Sequence, residues 1–279
     1  MTHRELTYAL ATKLRSAAKL GQLKARKKLA HGDLFIDYGW IKLLFSDDRD
    51  RQELYYHLRQ RDWHAKDMAF YSRHIEPGST VVDVGANMGF VTTMLASLAG
   101  TDGTVISFEP SRLTYSKLLK TIAVNNLTQV IPYNVGLGAT QEPLELVSVS
   151  KSSGNNTLAP SAPVKGTHHE TVDILTLSDI PELRDRRVAL LKIDTEGYEF
   201  QVLKGAKEII SRDMPVIYTE LGGGGAYADT TLQAIDLLEK LGYDTSPVSR
   251  VDWSTVGNGV DFAFLPKRRS WEIRPTRPA

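Results

Sequence analysis

From about residue 78 onward, short runs of β-branched and apolar residues alternate with longer stretches whose apolar positions return every three or four residues. The short runs are Thr80–Val84, Thr104–Phe108, Val130–Tyr133, Leu144–Val149, Thr171–Leu175, Val188–Ile193, Pro215–Tyr218 and Asp261–Leu265, and each is predicted to be a strand. Phe90–Leu98, Ser111–Val124, Phe200–Ala206 and Thr231–Leu241 carry helical spacing. Strands that alternate with helices, and that are apolar on both faces, predict an α/β domain with a mostly parallel sheet covered on both sides. Glu76-Pro77-Gly78 separates this region from what precedes it. Residues 1–30 read as a basic helix with a loose leucine stripe, Asp33–Phe45 as a hairpin around Tyr38-Gly39, and Arg49–Ile75 as helical. The expected organisation is a helical and hairpin extension over 1–77, a core domain over 78–266 and a basic tail over 267–279.

Composition narrows the classes. The 279 residues contain no cysteine, which excludes disulfides, cysteine–zinc sites and cysteine nucleophiles. The formal net charge of +1 creates no global field that calls for nucleic acid or a membrane surface. No apolar run approaches the ~20 residues of a membrane span, and the first residues lack the apolar stretch of a secretory signal, so the expected localisation is cytoplasmic. Lys13, Arg15, Lys19, Lys24, Arg26, Lys27 and Lys28 suit a solvated helix packed on the domain or on a second copy in a homo-oligomer. They also suit peripheral contact with an anionic membrane.

Candidate chemistry centres on Asp83-Val84-Gly85-Ala86-Asn87-Met88-Gly89, where a buried strand turns into a helix. In open α/β sheets, ligands bind beyond the carboxyl ends of the strands. The dinucleotide fingerprint needs a glycine where Asp83 stands. A carboxylate there repels a pyrophosphate and suits a ligand that carries positive charge. S-adenosylmethionine has an ammonium, a sulfonium and no phosphate, so the pattern favours it over NAD. Glu109-Pro110 ends the second strand, roughly 20–25 residues past the glycine turn, where an acid accepts ribose hydroxyls. Asn134, after the third strand, is the polar candidate for the adenine edge.

Val82-Asp83-Val84-Gly85-Ala86-Asn87-Met88-Gly89, Phe108-Glu109-Pro110, Leu191-Lys192-Ile193-Asp194-Thr195-Glu196-Gly197-Tyr198-Glu199 and Val202-Leu203-Lys204-Gly205-Ala206 together resemble the FkbM family of S-adenosylmethionine-dependent methyltransferases. The resemblance covers about residues 78–223. It implies a Rossmann-like methyltransferase fold with a seven-stranded sheet, and O-methylation of a hydroxyl on a sugar, glycolipid or polyketide-type natural product. Cofactor contacts are then expected from Asp83, Gly85, Ala86, Asn87, Gly89, Glu109, Pro110, Asn134 and Asp194.

An aliphatic hydroxyl is a poor nucleophile and needs a base or a metal. The later strand ends offer Asp194, Glu196, Glu199 and Glu220, and His168 and His169 border the polar loop 151–166. In one mechanism a carboxylate or a histidine takes the proton; in the other, Asp194 and Glu220 hold Mg²⁺, a hard cation that takes oxygen ligands. Two separated acids favour the carboxylate base. Asp194 could instead cap the following helix, and Glu196 and Glu199 could favour its dipole from the first turn. The competing functions are an RNA methyltransferase, which the lack of a basic stripe between the termini argues against, and a non-catalytic cofactor-binding scaffold, which the acids at four strand ends argue against.

Overall fold

The computed structural model describes residues 24–27, 34–37, 42–45, 61–149, 167–224, 230–256 and 259–267. Three short strands, β1 (Lys24–Lys27), β2 (Leu34–Asp37) and β3 (Lys42–Phe45), form an antiparallel sheet of their own. The hairpin expected over Asp33–Phe45 is β2 and β3, paired from Leu34↔Phe45 to Asp37↔Lys42. The helix expected over residues 1–30 is corrected at Lys24–Lys27, which pairs with β2 as a strand. Pairing with Leu34-Phe35-Ile36-Asp37 overrides the high intrinsic helix propensity of Lys, Ala and Arg there. Residues 1–23, the loop 151–166 and the tail from residue 268 lie outside the described residues.

Helix α1 (Arg61–Tyr71) leads into β4 (Thr80–Val84), α2 (Phe90–Ala99), β5 (Thr104–Phe108), α3 (Arg112–Val124) and β6 (Val130–Tyr133). Then come β7 (Gly136–Leu137), β8 (Leu144–Val149), β9 (Thr167–Val172) and β10 (Ile174–Leu175). The chain returns through β11 (Val188–Ile193), α4 (Glu199–Gly205), α5 (Lys207–Asp213), β12 (Val216–Leu221), α6 (Thr231–Lys240) and β13 (Val260–Phe264).

The principal sheet has the order β13-β12-β11-β4-β5-β6. It is parallel from β12 through β6, and β13 joins antiparallel to β12. Among the described residues this sheet has six strands, not the seven expected. The run read as one strand over Thr171–Leu175 divides at Asp173. Its first part pairs with β8 in an antiparallel ladder, and Ile174-Leu175 pairs with β7 in a two-residue parallel ladder.

The principal sheet is apolar on both faces. On one, Val82, Val84, Ile106, Phe108, Leu191 and Ile193 pack with Val202, Leu203, Ile210, Ala234 and Leu238 from α4, α5 and α6. On the other, Val81, Val105 and Leu190 pack with Met68 and Tyr71 of α1 and Met94 and Leu95 of α2. Although α1 precedes Glu76-Pro77-Gly78, its apolar face therefore belongs to this core.

One local rule is broken for a packing reason. Gly205 ends α4, where Ala would be the better helix former. A Cβ there would lie 1.8 Å from the carbonyl oxygen of Gly138. Gly205→Ala is expected to destabilise the domain by about 1–3 kcal/mol, against helix propensity, measured as a lower urea midpoint with an unchanged slope. An unchanged or raised midpoint would show that the close approach does not hold in solution.

Candidate functional site

The strand order sets β4 between β5 and β11, so three carboxyl ends open onto one edge. At the tip of β4 the backbone reverses. Gly85 and Ala86 donate their N–H groups to Phe108 O at 3.0 and 2.9 Å, and Gly89 donates to Ala86 O at 2.9 Å. Asn87 is left-handed at φ 49°, and Gly85 has φ 75°. A Cβ on Gly85 would sit 1.8 Å from Asp194 O, so the tips of β4 and β11 approach closely only because this residue is glycine.

Below the turn lies a polar row across the sheet. Lys192 pairs in register with Asp83 on one side and Tyr218 on the other, and Asp83 with Ser107. In-register side chains share a face, here the one covered by α1 and α2. Asp83 is fully buried. Its Oδ2 accepts from the Thr92 hydroxyl at 2.6 Å, and Lys192 Nζ stands 3.2 Å from Oδ1. The Lys192 ammonium also donates to Gly85 O at 2.9 Å and faces Asp194 Oδ2 at 3.4 Å. Burial works against its charge, but Asp83 and Asp194 outweigh burial and hold its pKa above the ordinary lysine value.

The Asp83 carboxylate is met inside the protein by Thr92 and Lys192, and it supports the turn from beneath. Glu109 is also buried, and it latches the turn from β5. Its Oε2 accepts from Asn87 N–H and its Oε1 from Ser111 N–H, both at 3.0 Å. Burial raises its pKa to about 7 against the pull of those two amides. The Asn134 amide donates to Glu109 O at 2.9 Å and Pro110 O at 3.0 Å, so it braces the Glu109-Pro110 corner.

The segment after β11 separates three candidates, and β12 brings a fourth. Asp194 extends the ladder through its N–H to Val84 O, and 40% of its side chain is exposed. The helix that follows is capped by Tyr198, so Asp194 is not its cap. Glu196 is not in the first helical turn; it sits in the preceding loop at φ 56°. Glu199 does begin α4, but its Oε1 accepts from Thr195 N–H at 2.8 Å, Thr195 Oγ1 at 2.9 Å and Gly197 N–H at 3.2 Å. That buried carboxylate braces the loop. Glu220 reaches the same edge from β12. Carboxylate oxygens of Asp194, Glu196 and Glu220 lie within 4.8 Å of one another.

His169 is not brought to these acids. It faces Glu145 at 3.1 Å across the β8–β9 ladder, outside the principal sheet. His168 neighbours it in β9, opposite Ser148.

Sequence reasoning missed Lys192, Asp67, Tyr218 and Asp261. The Tyr218 hydroxyl donates to Asp67 Oδ1 of α1 at 2.7 Å, and its ring packs against Phe70 and Tyr71. Burial lifts Asp67 to about 6, with Tyr218 and Lys192 pulling it down. Asp261 stands opposite Glu220 in register, and burial, with the charges of Asp194 and Asp67, lifts it to about 7. A lysine inside Val188–Ile193 and an aspartate inside Val260–Phe264 were the available signals.

The Methyltransferase FkbM domain model matches residues 83–245, more than half of the chain. Methyltransferase 1 of Beauveria bassiana is 30% identical over 199 residues, covering 63% of this chain and 76% of that protein. Methyltransferase sdnD of Sordaria araneosa is 28% identical over 157 residues, 46% of this chain and 60% of that protein. Among solved structures, methyltransferase FkbM from Methylobacillus flagellatus KT aligns with a TM-score of 0.41 at 17% identity. The alignment covers 82% of this chain and 52% of that one, so the chain spans about half of that structure's length. The fold and edge define a Rossmann-like methyltransferase domain. The chain belongs to the FkbM methyltransferase family.

The acid pair at the edge has a measurable consequence. Unfolded, Asp261 takes up its proton near the ordinary aspartate value of 3.8; folded, it keeps that proton up to about 7. The folded state thus binds the extra proton between those values, and its stabilising effect is lost as pH rises through 7. Asp261→Asn is expected to raise the thermal midpoint at pH 8 by about 2–4 °C, with no difference at pH 3.5. An equal shift at both pH values would remove the buried-acid explanation.

Proposed function

We propose that the protein is an S-adenosylmethionine-dependent O-methyltransferase acting on a hydroxyl of a small-molecule or carbohydrate acceptor, in the class of sugars, glycolipids and polyketide-type natural products. The observation that carries this reading is the latch of Glu109 onto the Asn87 amide. It places a buried carboxylate beside a glycine turn at the carboxyl ends of β4 and β5.

The donor set fits the cofactor. Each oxygen of Glu109 accepts one backbone N–H, and a carboxylate oxygen can accept two hydrogen bonds, so each keeps an acceptor site for a ribose hydroxyl. Gly85, Ala86 and Asn87 bring bare backbone to the edge, and Gly89 starts α2 beneath it. Asp194 supplies negative charge suited to a cationic ligand. When bound, S-adenosylmethionine supplies a methyl group on a positively charged sulfur. The chain's own task is to orient the acceptor oxygen in line with that carbon and to remove its proton. Asp194 Oδ2 faces Lys192, which leaves Oδ1 for the acceptor proton.

A second reading has a specific observation behind it. The three oxygen donors of Asp194, Glu196 and Glu220 are close enough to share Mg²⁺, which would bind the acceptor oxygen and lower its pKa. Relatives named only as methyltransferases do not decide between the readings. No helix among the described residues is long and apolar enough to cross a membrane. Contact with a membrane surface, and self-association, remain roles for the basic residues before Lys24.

Calorimetry with S-adenosylhomocysteine and with NAD tests the cofactor; binding of the first alone is expected, and binding of NAD alone would overturn the reading. Glu109→Gln should weaken S-adenosylhomocysteine by about 10–100-fold. Labelled methyl transfer to a panel of sugars, glycolipids, macrolides and RNA identifies the acceptor. On that acceptor, Asp194→Asn should lower turnover by about 10²–10⁴-fold with S-adenosylhomocysteine binding kept. Full turnover by this variant would remove Asp194 as the base, and loss of turnover in a chelator would select the metal reading.

A further inference from the structure

Lys192 is a buried cation that the proposed chemistry does not consume. Its ammonium touches the support of the cofactor turn, the turn itself and the acceptor-side acid at once: Asp83 Oδ1 at 3.2 Å, Gly85 O at 2.9 Å and Asp194 Oδ2 at 3.4 Å. A hydrophobic side chain would fill the same slot between Asp83 and Tyr218 without the desolvation cost of an ammonium. A structural peg would also not need to face two carboxylates on different strands.

We propose that Lys192 is a positioning residue that cancels the charge of Asp83 and holds Asp194 against the Gly85 turn, so that the Asp194 charge is matched to the sulfonium and not to the neutral sulfur of the product. The inference rests on the cofactor reading above and deepens it.

Charge balance during transfer follows from this arrangement. Asp83 and Lys192 sum to zero, so with S-adenosylmethionine bound the Asp194 charge would be the one that balances the positive charge on sulfur. The acceptor oxygen then bonds to the methyl carbon as the carbon–sulfur bond breaks, and that electron pair returns to sulfur. The acceptor proton passes to Asp194. The positive charge on sulfur and the negative charge on Asp194 vanish together, so the edge keeps the same net charge throughout. An unpaired Asp83 would leave a residual negative charge after transfer.

The test is the ratio of dissociation constants for S-adenosylhomocysteine and S-adenosylmethionine, measured by calorimetry on the full chain without acceptor. The two ligands differ by a methyl group and its charge, so a residue that only fills space moves both affinities alike. Asp194→Asn should weaken S-adenosylmethionine by about tenfold and leave S-adenosylhomocysteine unchanged. Lys192→Met should shift the ratio the other way, towards S-adenosylmethionine. The double variant Asp83→Asn/Lys192→Met removes both members of the buried pair and should return the ratio to that of the wild type. If Lys192→Met alone does not fold, the double variant and Asp194→Asn carry the test. An unchanged ratio in Asp194→Asn, or a shifted ratio in the folded double variant, overturns the proposal while leaving the cofactor reading intact. A wild-type protein that binds neither ligand overturns both.

Discussion

Asp83 and Lys192 lie side by side in the interior of a parallel sheet, on strands that are otherwise apolar. Removing one partner of such a pair leaves an uncompensated buried charge, at a cost of about 3–5 kcal/mol. The pair constrains everything above it. Because Lys192 must face Asp83, the register of β11 on β4 is fixed, and a slip by one residue would put the two side chains on opposite faces of the sheet. Because the same ammonium binds Gly85 O, the turn that follows β4 has one height above the sheet. Asp194, two residues past Lys192, then emerges on the same face at the edge.

The neighbouring strands add a second layer to this constraint. Tyr218 continues the row from β12 and hands it to α1 through Asp67. That contact, with the aromatic packing of Phe70 and Tyr71, ties a helix outside the family match into the wall behind the site. Glu109 closes the other side from β5. The edge is therefore ringed by acids of two kinds. Asp83 is paired with a cation, whereas Glu109, Asp67 and Asp261 are raised towards neutrality by burial.

Much of the architecture was legible in the sequence. Thr104–Phe108 and Val188–Ile193 are strands with the bounds their β-branched runs predict, because each is buried on both faces and bordered by a breaker or a polar residue; Val130–Tyr133 keeps its predicted bounds at the sheet edge, where only Val130 is buried. Thr171–Leu175 was misread because period-two patterning does not say which neighbour a strand joins. The turn and Glu109 were legible through spacing alone. The buried partnership of Asp83 was not, since it depends on Lys192, more than a hundred residues away in sequence and adjacent only once the strand order is known. Asp67 and Asp261 were hidden for the same reason: an acid on a helix or an edge strand looks solvated until its face is known.

The stretch from Asp194 to Ala206 shows why a family signature need not be a list of reacting groups. Glu199 holds the amides of Thr195 and Gly197, and Glu196 takes a left-handed conformation that few non-glycine residues adopt. Gly205 lets α4 approach the backbone at Gly138. Each of these residues is required by the path of the chain, whatever the reaction. Their combined effect is to bring the chain sharply away from the sheet just after Asp194, so that its side chain stays partly exposed while its neighbours are engaged by the loop. In this segment the bracing by Glu199 and the close approach at Gly205 keep the Asp194 carboxylate at the tip of β11, within reach of the buried ammonium.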